Sequence, residues 1–401
     1  MRPVEQETPQ LPMRRESPFH PPAAYERLRE DGGVARFSWP NGVQAWLVTK
    51  YAEVREALSH PLLSVDRTAS PPPSLALGRT SGVMLPRSLV GMDPPEHTGW
   101  RRLIIRELTV RRVARLRPRI EEIVDGYLDQ MAQAGPPADL VPSFALPIPS
   151  MVISELLGVP PGDRAEFQRH TEVISAVGAP PEQVHKASAA LMDYIGELIK
   201  AKRLAPGDDM LSHLAQSTLD GAPVPDAGLL GNGMLLLIAG HETTSNMITL
   251  GVVTMLSHPD QLALLRADSS LIDRAVEEVL RFHAVIQYGV VRRATADLVI
   301  GGQQIRAGEW VVCSLASANR DAGNWQDPDR FLAAREPLAH TSFGYGVHQC
   351  AGQHLARLEL RIALAELFRR FPRLRLAEPA QGLPFRGDMF VYGLHRLPLE
   401  W

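Results

Sequence analysis

Apolar residues recur at three- and four-residue intervals along most of this chain, and prolines fall between the periodic stretches rather than within them. The spacing predicts helices over about 97–109, 112–133, 148–157, 163–176, 182–202, 208–215, 226–257, 260–266 and 271–282. A last long helix is expected from near Cys350 to just before Pro372. Short apolar runs predict strands at Trp46-Leu47-Val48-Thr49, Val290-Val291, Leu298-Val299-Ile300 (before a Gly301-Gly302 turn) and Trp310-Val311-Val312, with a short helix from Ala52 to Leu58. Residues 61–95 are rich in Pro, Ser and Gly and read as a long irregular loop, a feature usually tied to function in compact domains. No repeat, low-complexity tract or Gly/Ser linker interrupts the pattern. The expected fold is therefore one mainly α domain over 1–401 with a minor β component, residues 1–24 forming an extended, partly ordered segment.

The stretch between Pro225 and Pro259 contains no proline, so one helix of roughly 30 residues and near 50 Å could span it. Its middle carries His241, Glu242, Thr243, Thr244, Ser245 and Asn246. A membrane span would hold those groups at mid-bilayer at a cost of several kcal/mol. A buried helix crossing a large domain is the better reading, and buried polar groups there need partners or a purpose.

Composition removes several classes. The 401 residues carry a formal net charge of −3, which gives no reason to expect nucleic-acid binding. Two cysteines, Cys313 and Cys350, exclude a disulfide framework and a four-thiolate zinc site, and suit a reducing cytosol. The polar, proline-rich start has no apolar h-region, so no secretory signal is expected.

The chemistry concentrates in Phe343-Gly344-Tyr345-Gly346-Val347-His348-Gln349-Cys350-Ala351-Gly352. Glycines before a cysteine let backbone approach a flat ligand closely, and nearby N–H groups can reach a sulfur. Ala351, Leu355, Leu358, Ile362 and Ala365 form a helical stripe behind it, which places Cys350 at a helix N-terminus, where the dipole favours a thiolate. The ordinary alternative is an inert buried cysteine after a glycine turn. Zinc would need His348, Cys350 and His354, whose spacing matches no standard site, and Gly344-x-Gly346 lacks the third glycine of a dinucleotide loop.

These ten residues resemble the haem-binding loop of the cytochrome P-450 family, F-G-x-G-x-H-x-C-x-G, at every fixed position. The resemblance runs from about Tyr25 to Trp401. It implies the helical fold of that family, with haem b between the long central helix and the Cys-ligand helix, and Cys350 as the iron's axial thiolate. Such a ligand pushes electron density to the iron and favours O–O cleavage. Phe343, Gly344 and Gly352 would frame the haem on the cysteine side, and Ala239 and Gly240 on the other.

Three further regions fit the same resemblance. Glu278 and Arg281 share a helix face, ordinarily a mere surface pair. With Pro328-Asp329-Arg330-Phe331 resembling the family's P-x-R-F element, Glu278, Arg281 and Arg330 look like its buried structural triad. Ala239-Gly240-His241-Glu242-Thr243-Thr244 resembles A-G-x-[D/E]-T. By itself such a threonine could back-bond to the i−4 carbonyl in a polar kink. By the resemblance, Gly240 leaves room for O2, the Thr243 hydroxyl bonds the distal oxygen and Glu242 begins a proton relay. Pro94-Pro95-Glu96-His97-Thr98-Gly99-Trp100-Arg101 resembles D-P-P-x-H-x-x-x-R, so His97 and Arg101, with Arg292 and His348, would hold the haem propionates.

The expected protein is a soluble bacterial-type haem-thiolate monooxygenase using O2 to hydroxylate or epoxidise a moderately large, mostly hydrophobic substrate, in secondary-metabolite tailoring or xenobiotic oxidation. No flavin or iron–sulfur motif is present, so electrons would come from a separate ferredoxin and an NAD(P)H-dependent ferredoxin reductase. Arg102, Arg106, Arg111, Arg112 and Arg115, joined by Arg357, form the expected docking face for a small acidic ferredoxin. The protein is expected to be a cytoplasmic monomer that binds neither nucleic acid nor membrane. Met84, Leu85, Leu89, Val90, Leu236, Ala239, the stretch from Ala284 to Val291 (Val285, Ile286 and Gln287 among it), Met389 and Phe390 are expected to line the substrate pocket. A haem-binding sensor, a peroxide-using haem-thiolate enzyme and a cofactor-free helical binding protein are the alternatives.

Overall fold

The computed structural model describes residues 9–11, 14–39, 42–66, 86–175, 180–387 and 389–401. The proline-free stretch forms one helix, Asp226–Ser257, as its pattern predicts. It runs through the main hydrophobic core and packs against the helices Pro147–Leu156, Pro181–Leu204, Ile272–His283 and Gln353–Arg370. Glycine permits the closest approaches. A side chain at Gly228 would collide with the Trp100 ring, and one at Gly231 with the Arg87 carbonyl. The chain around Leu89 is thereby seated on the central helix, where Asn232 Oδ1 accepts a hydrogen bond from the Leu89 N–H at 2.9 Å. Among the described residues no helix is long and apolar enough to cross a membrane.

Most predicted helices occur within three residues of their expected ends: Tyr51–Ser59, Glu96–Glu107, Arg164–Ser175, Met210–Ala215 and Pro259–Ala267 in addition to those above. One expectation needs correction. The stretch over 112–133 is two helices, Val110–Arg115 and Arg117–Ala134, which meet at Leu116. Pro118 is the physical reason. In a continuous helix its ring would clash with the Ala114 carbonyl, whereas in the first turn of a new helix its missing N–H is no loss. Pro147 and Pro149 also lie inside the first turn of their helix, so the prolines mark boundaries from within rather than from between.

The β component is a five-stranded sheet in the order Val34–Ser38, Gln44–Val48, Trp310–Cys313, Val290–Ala294, Leu63–Ser64, with three small two- or three-stranded sheets. Gln44–Val48 and Trp310–Cys313 run parallel, and the other pairs antiparallel. Leu63–Ser64 falls inside the stretch expected to be irregular, and pairs with Ala294 and Arg293. The register sets Arg292 opposite Val311, carrying a buried guanidinium into the protein from the sheet.

Candidate functional site

From Gly228 to Ser257 the central helix has one exposed residue, Ala239, near its midpoint. Leu236 and Thr243, on the same face at i−3 and i+4, are half-buried, as are Ile238, Gly240 and Glu242 around the same point. A buried helix that opens at its centre borders an internal space. Thr243 Oγ1 donates to the Ala239 carbonyl at 2.6 Å, the back-bonding expected of a helical threonine. A methyl group at Gly240 would meet Ile153 Cδ1 at 3.6 Å, an ordinary contact, so the protein's own packing does not demand glycine there.

A second opening lies at Cys350. The last helix begins at Gln353 with Gly352 as its N-cap, so the cysteine precedes the helix rather than starting it, a correction to the sequence expectation. The loop ahead turns through Gly344 and Gly346, both at positive φ. A side chain at Gly346 would press on Leu58 O at 3.0 Å, so glycine is required there twice over. The Cys350 N–H donates to the Phe343 carbonyl at 2.8 Å, folding the loop back on itself. The Cys350 thiol is exposed to open space yet surrounded by protein, and this desolvation raises its pKa against the pull of the Gly352 N–H, Arg101 and Arg357. Cys313 is the contrast: fully buried in its strand, its thiol is pushed up to about 12.

Between these elements four basic side chains converge, His97, Arg101, Arg292 and His348. The His97 and His348 rings lie 4.1 Å apart by their centroids. Arg101 Nη2 donates to the Gln349 carbonyl at 2.7 Å, one residue from the cysteine. Burial lowers the His348 pKa to about 3, with Arg292, His97 and Arg101 adding to the effect and Asp93 opposing it. His97 is lowered in the same way, by burial and then by Arg101 and Arg292. His97 Nε2 is buried without a hydrogen-bond partner. Buried polar atoms of this kind are rare unless a ligand or water completes them.

Glu242 is half-buried and paired with a cation. Arg386, itself buried, donates to its carboxylate and to Asn246 Oδ1. Asn246 belongs to the polar run that the sequence marks at mid-helix, but Arg386 carries no local signal, because its pairing with Glu242 joins positions 144 residues apart.

The triad also requires a correction. Arg281 Nε and Nη2 bond Glu278 at 2.7 and 2.8 Å, but the second arginine on that carboxylate is Arg335, with Nε 3.1 Å from both oxygens. Arg330 turns outward to Asp327 and contributes only its carbonyl, which accepts from Arg281 and Arg335. Asp327 adopts a positive φ at the head of this turn, and the tight reversal presents Arg330's backbone rather than its side chain. The signal that could have found Arg335 was a second arginine four residues past Phe331.

Of the expected pocket residues, Leu89 and Val285 belong to the main core, with Leu236, Ile286 and Phe390 packed against it. Residues 285–287 are held to the C-terminal segment by Tyr392 N–H to Val285 O and Gln287 N–H to Phe390 O. Met389 is buried beside that segment, and Val90 is exposed. Gln287 is committed elsewhere: its amide donates to the Gly387 and Met389 carbonyls and its oxygen accepts from Arg15, so it clamps the backbone rather than offering a polar group to a ligand. Met84 and Leu85 lie outside the described residues.

Among the described residues no group of three or more His, Cys, Asp or Glu could hold a metal by itself, which disposes of the zinc arrangement. An accessible thiol, a central helix opened at a small residue, and two arginines beside two histidines with an unpartnered ring nitrogen fit a flat, anionic macrocycle carrying its own metal. The comparisons agree. The cytochrome P450 family model matches residues 167–384. Pentalenic acid synthase of Streptomyces avermitilis is 46% identical over 98% of this chain and 97% of its own length. Vitamin D3 dihydroxylase of Streptomyces griseolus is 42% identical over 100% of this chain and 98% of its own. The crystal structure of CYP105P1 in complex with filipin I superposes with a TM-score of 0.90 at 42% identity, covering 98% of this chain and 99% of that one. A family match over more than half of the chain, identities above 40% along nearly its whole length and a shared mainly helical frame leave one conclusion: this chain belongs to the cytochrome P450 family of haem-thiolate monooxygenases, whose cofactor is haem b.

Proposed function

We propose that this protein hydroxylates or epoxidises a moderately large, mostly hydrophobic organic molecule, in tailoring a secondary metabolite or oxidising a foreign compound. It receives electrons from a separate ferredoxin and NAD(P)H-dependent ferredoxin reductase, as a monomer in the cytoplasm. The observation that carries the reading is the opening at Leu236, Ala239 and Thr243 in a mostly buried helix, within a core that also holds the apolar Leu89, Val285, Ile286 and Phe390. The names of the relatives, with a vitamin D3 dihydroxylase and a filipin complex among them, favour a substrate of this size and polarity.

In this reading Cys350 holds the haem iron and His97, Arg101, Arg292 and His348 take the propionates. Phe343, Gly344 and Gly352 border the macrocycle on one side, Ala239 and Gly240 on the other. When bound, the haem supplies oxygen activation, and the thiolate favours O–O cleavage, as in P450 enzymes generally. The chain's part is to exclude water, orient the substrate and move protons. The Thr243 hydroxyl has one donor and two acceptor sites. Its donor is engaged by the Ala239 carbonyl, so proton delivery requires that hydroxyl to rotate while Glu242 brings a replacement proton.

Arg102, Arg106, Arg111 and Arg115 are exposed, and they form the docking surface for an acidic ferredoxin. Arg112 is tied to Glu107, and Arg357 is tied to Glu277 and lies over the Phe343 ring, so neither belongs to that surface.

The test is reconstitution with ferredoxin, reductase and isotopically labelled O2, in which each product molecule gains one labelled oxygen. Thr243→Ala retains the substrate-induced change in the haem spectrum while diverting electrons to hydrogen peroxide. A Thr243→Ala enzyme that loses substrate binding yet stays fully coupled at saturation contradicts the assignment. Changing Arg102 and Arg106 to Glu slows ferredoxin-driven reduction, and the native rate falls steeply as salt screens charges over ~8–10 Å.

A further inference from the structure

Arg386 lies on the C-terminal hairpin, where Phe385 bridges to Leu394, and its own N–H donates to the Gly393 carbonyl at 2.9 Å. A side chain at Gly393 would overlap Asn246, so the hairpin rests directly on the central helix at this level. The guanidinium is thereby aimed at two helix residues one turn apart. Nη2 donates to Glu242 Oε1 at 2.5 Å and Nη1 to Asn246 Oδ1 at 3.2 Å. Asn246 in turn donates to the Glu242 carbonyl at 2.8 Å. A guanidinium this deeply buried is costly unless a carboxylate faces it, so the pair is the resting arrangement. Glu242 thus points its acid group at the hairpin, while the Thr243 hydroxyl is engaged by Ala239.

We propose that Arg386 is a positioning residue for proton delivery: it parks the Glu242 carboxylate against the C-terminal hairpin, and each transfer to Thr243 begins when that carboxylate leaves the guanidinium. The inference rests on the relay reading of Glu242 and Thr243. A proton passes from solvent to a Glu242 carboxylate oxygen, then to Thr243 Oγ1, which gives up its own proton; the carboxylate returns to Arg386, and no electrons move. Protonation itself loosens the contact, because a neutral acid accepts from a guanidinium more weakly than a carboxylate does. The hairpin that carries Arg386 also carries Met389 and Phe390, so a substrate touching those residues couples its presence to the parking contact.

A double-mutant cycle on the haem-loaded enzyme with its redox partners tests this. Native protein, Arg386→Gln, Glu242→Gln and the double variant are compared for product formed per NAD(P)H, substrate dissociation constant and melting temperature. Arg386→Gln is expected to lower product per NAD(P)H about threefold with substrate affinity within about twofold, and to have no further effect once Glu242 is Gln, the non-additivity of residues acting through one another. Arg386→Lys keeps the charge and restores most of the coupling. If Arg386→Gln does not fold, Arg386→Met, which keeps the stem and removes the charge and donors, replaces it in both backgrounds. An equal loss with and without Glu242 overturns the proposal, making Arg386 a hairpin anchor while leaving the relay intact. Native turnover and coupling in Glu242→Gln alone would instead overturn the relay reading itself, and the role of Arg386 with it.

Discussion

Two buried clusters of charge lie in this protein, and they end differently. Around Glu278 the charged groups are answered by protein: Arg281 and Arg335 share the carboxylate, the Leu332 N–H adds a third donor, and the Asn319, Pro328 and Arg330 carbonyls take up Arg281's remaining hydrogens. Around His348, Arg101 and Arg292 crowd against two imidazoles that are driven toward neutrality, and His97 Nε2 has no hydrogen-bond partner. Both arrangements cost desolvation energy. The first recovers it within the chain and is architecture. The second leaves it to be recovered by something anionic, and that is what separates a ligand site from a structural one.

The largest effect should come from breaking the closed cluster. Glu278→Gln strands the buried Arg281 guanidinium and the partly buried Arg335, and is expected to cost about 3–5 kcal/mol in chemical denaturation whether or not haem is present. A loss confined to the haem-loaded protein would mean that the cluster is not self-contained.

Glu277 sharpens the comparison, because it links the two regions through Arg357 on the cysteine helix and His340. Burial would raise its pKa, but the His340 and Arg357 hydrogen bonds outweigh this and bring it down to about 2. A carboxylate so depressed contributes stability that is present above its ordinary value near ~4.3 and lost as pH falls toward about 2. Glu277→Gln should therefore be less stable than native by roughly 2–3 kcal/mol near neutrality, with the gap closing across that acid window in denaturant titrations.

At the open cluster the prediction reverses. His97→Ala should leave the haem-free protein's stability within about 1 kcal/mol while raising haem dissociation about tenfold, the worth of one hydrogen bond to a charged group. Smallest of all is Arg330→Ala: with its side chain at the surface, it should move stability by no more than about 0.5 kcal/mol. Competitive haem transfer and thermal unfolding read these two, and a large Arg330 effect would restore it to the triad.

The sequence carried the local parts of this account well. The helix Asp226–Ser257 was legible because no proline interrupts it and its apolar run is long, and the turn before Cys350 because glycines must sit where φ is positive. What failed were features set by distant partners. Arg330 and Arg335 are equally plausible in one dimension, and the turn at Asp327 decides which side chain reaches Glu278. Gln287 looked like a pocket residue until Gly387, Met389 and Arg15 were seen to consume its amide. Arg386 gave no signal at all, since its role exists only where the hairpin meets the central helix. The strand Val34–Ser38 was missed despite the Asn41-Gly42 pair that follows it, a strong hairpin signal.

The claim on which the rest depends is that the exposed Cys350, and not the buried Cys313, holds the haem iron. The direct measurement is the absorbance of the reduced protein under carbon monoxide, for the native chain, Cys350→His and Cys313→Ala. The account predicts the band of a thiolate-ligated haem in the native protein, its retention in Cys313→Ala and its loss in Cys350→His. Native protein purified without haem, or an unshifted band in Cys350→His, would contradict it.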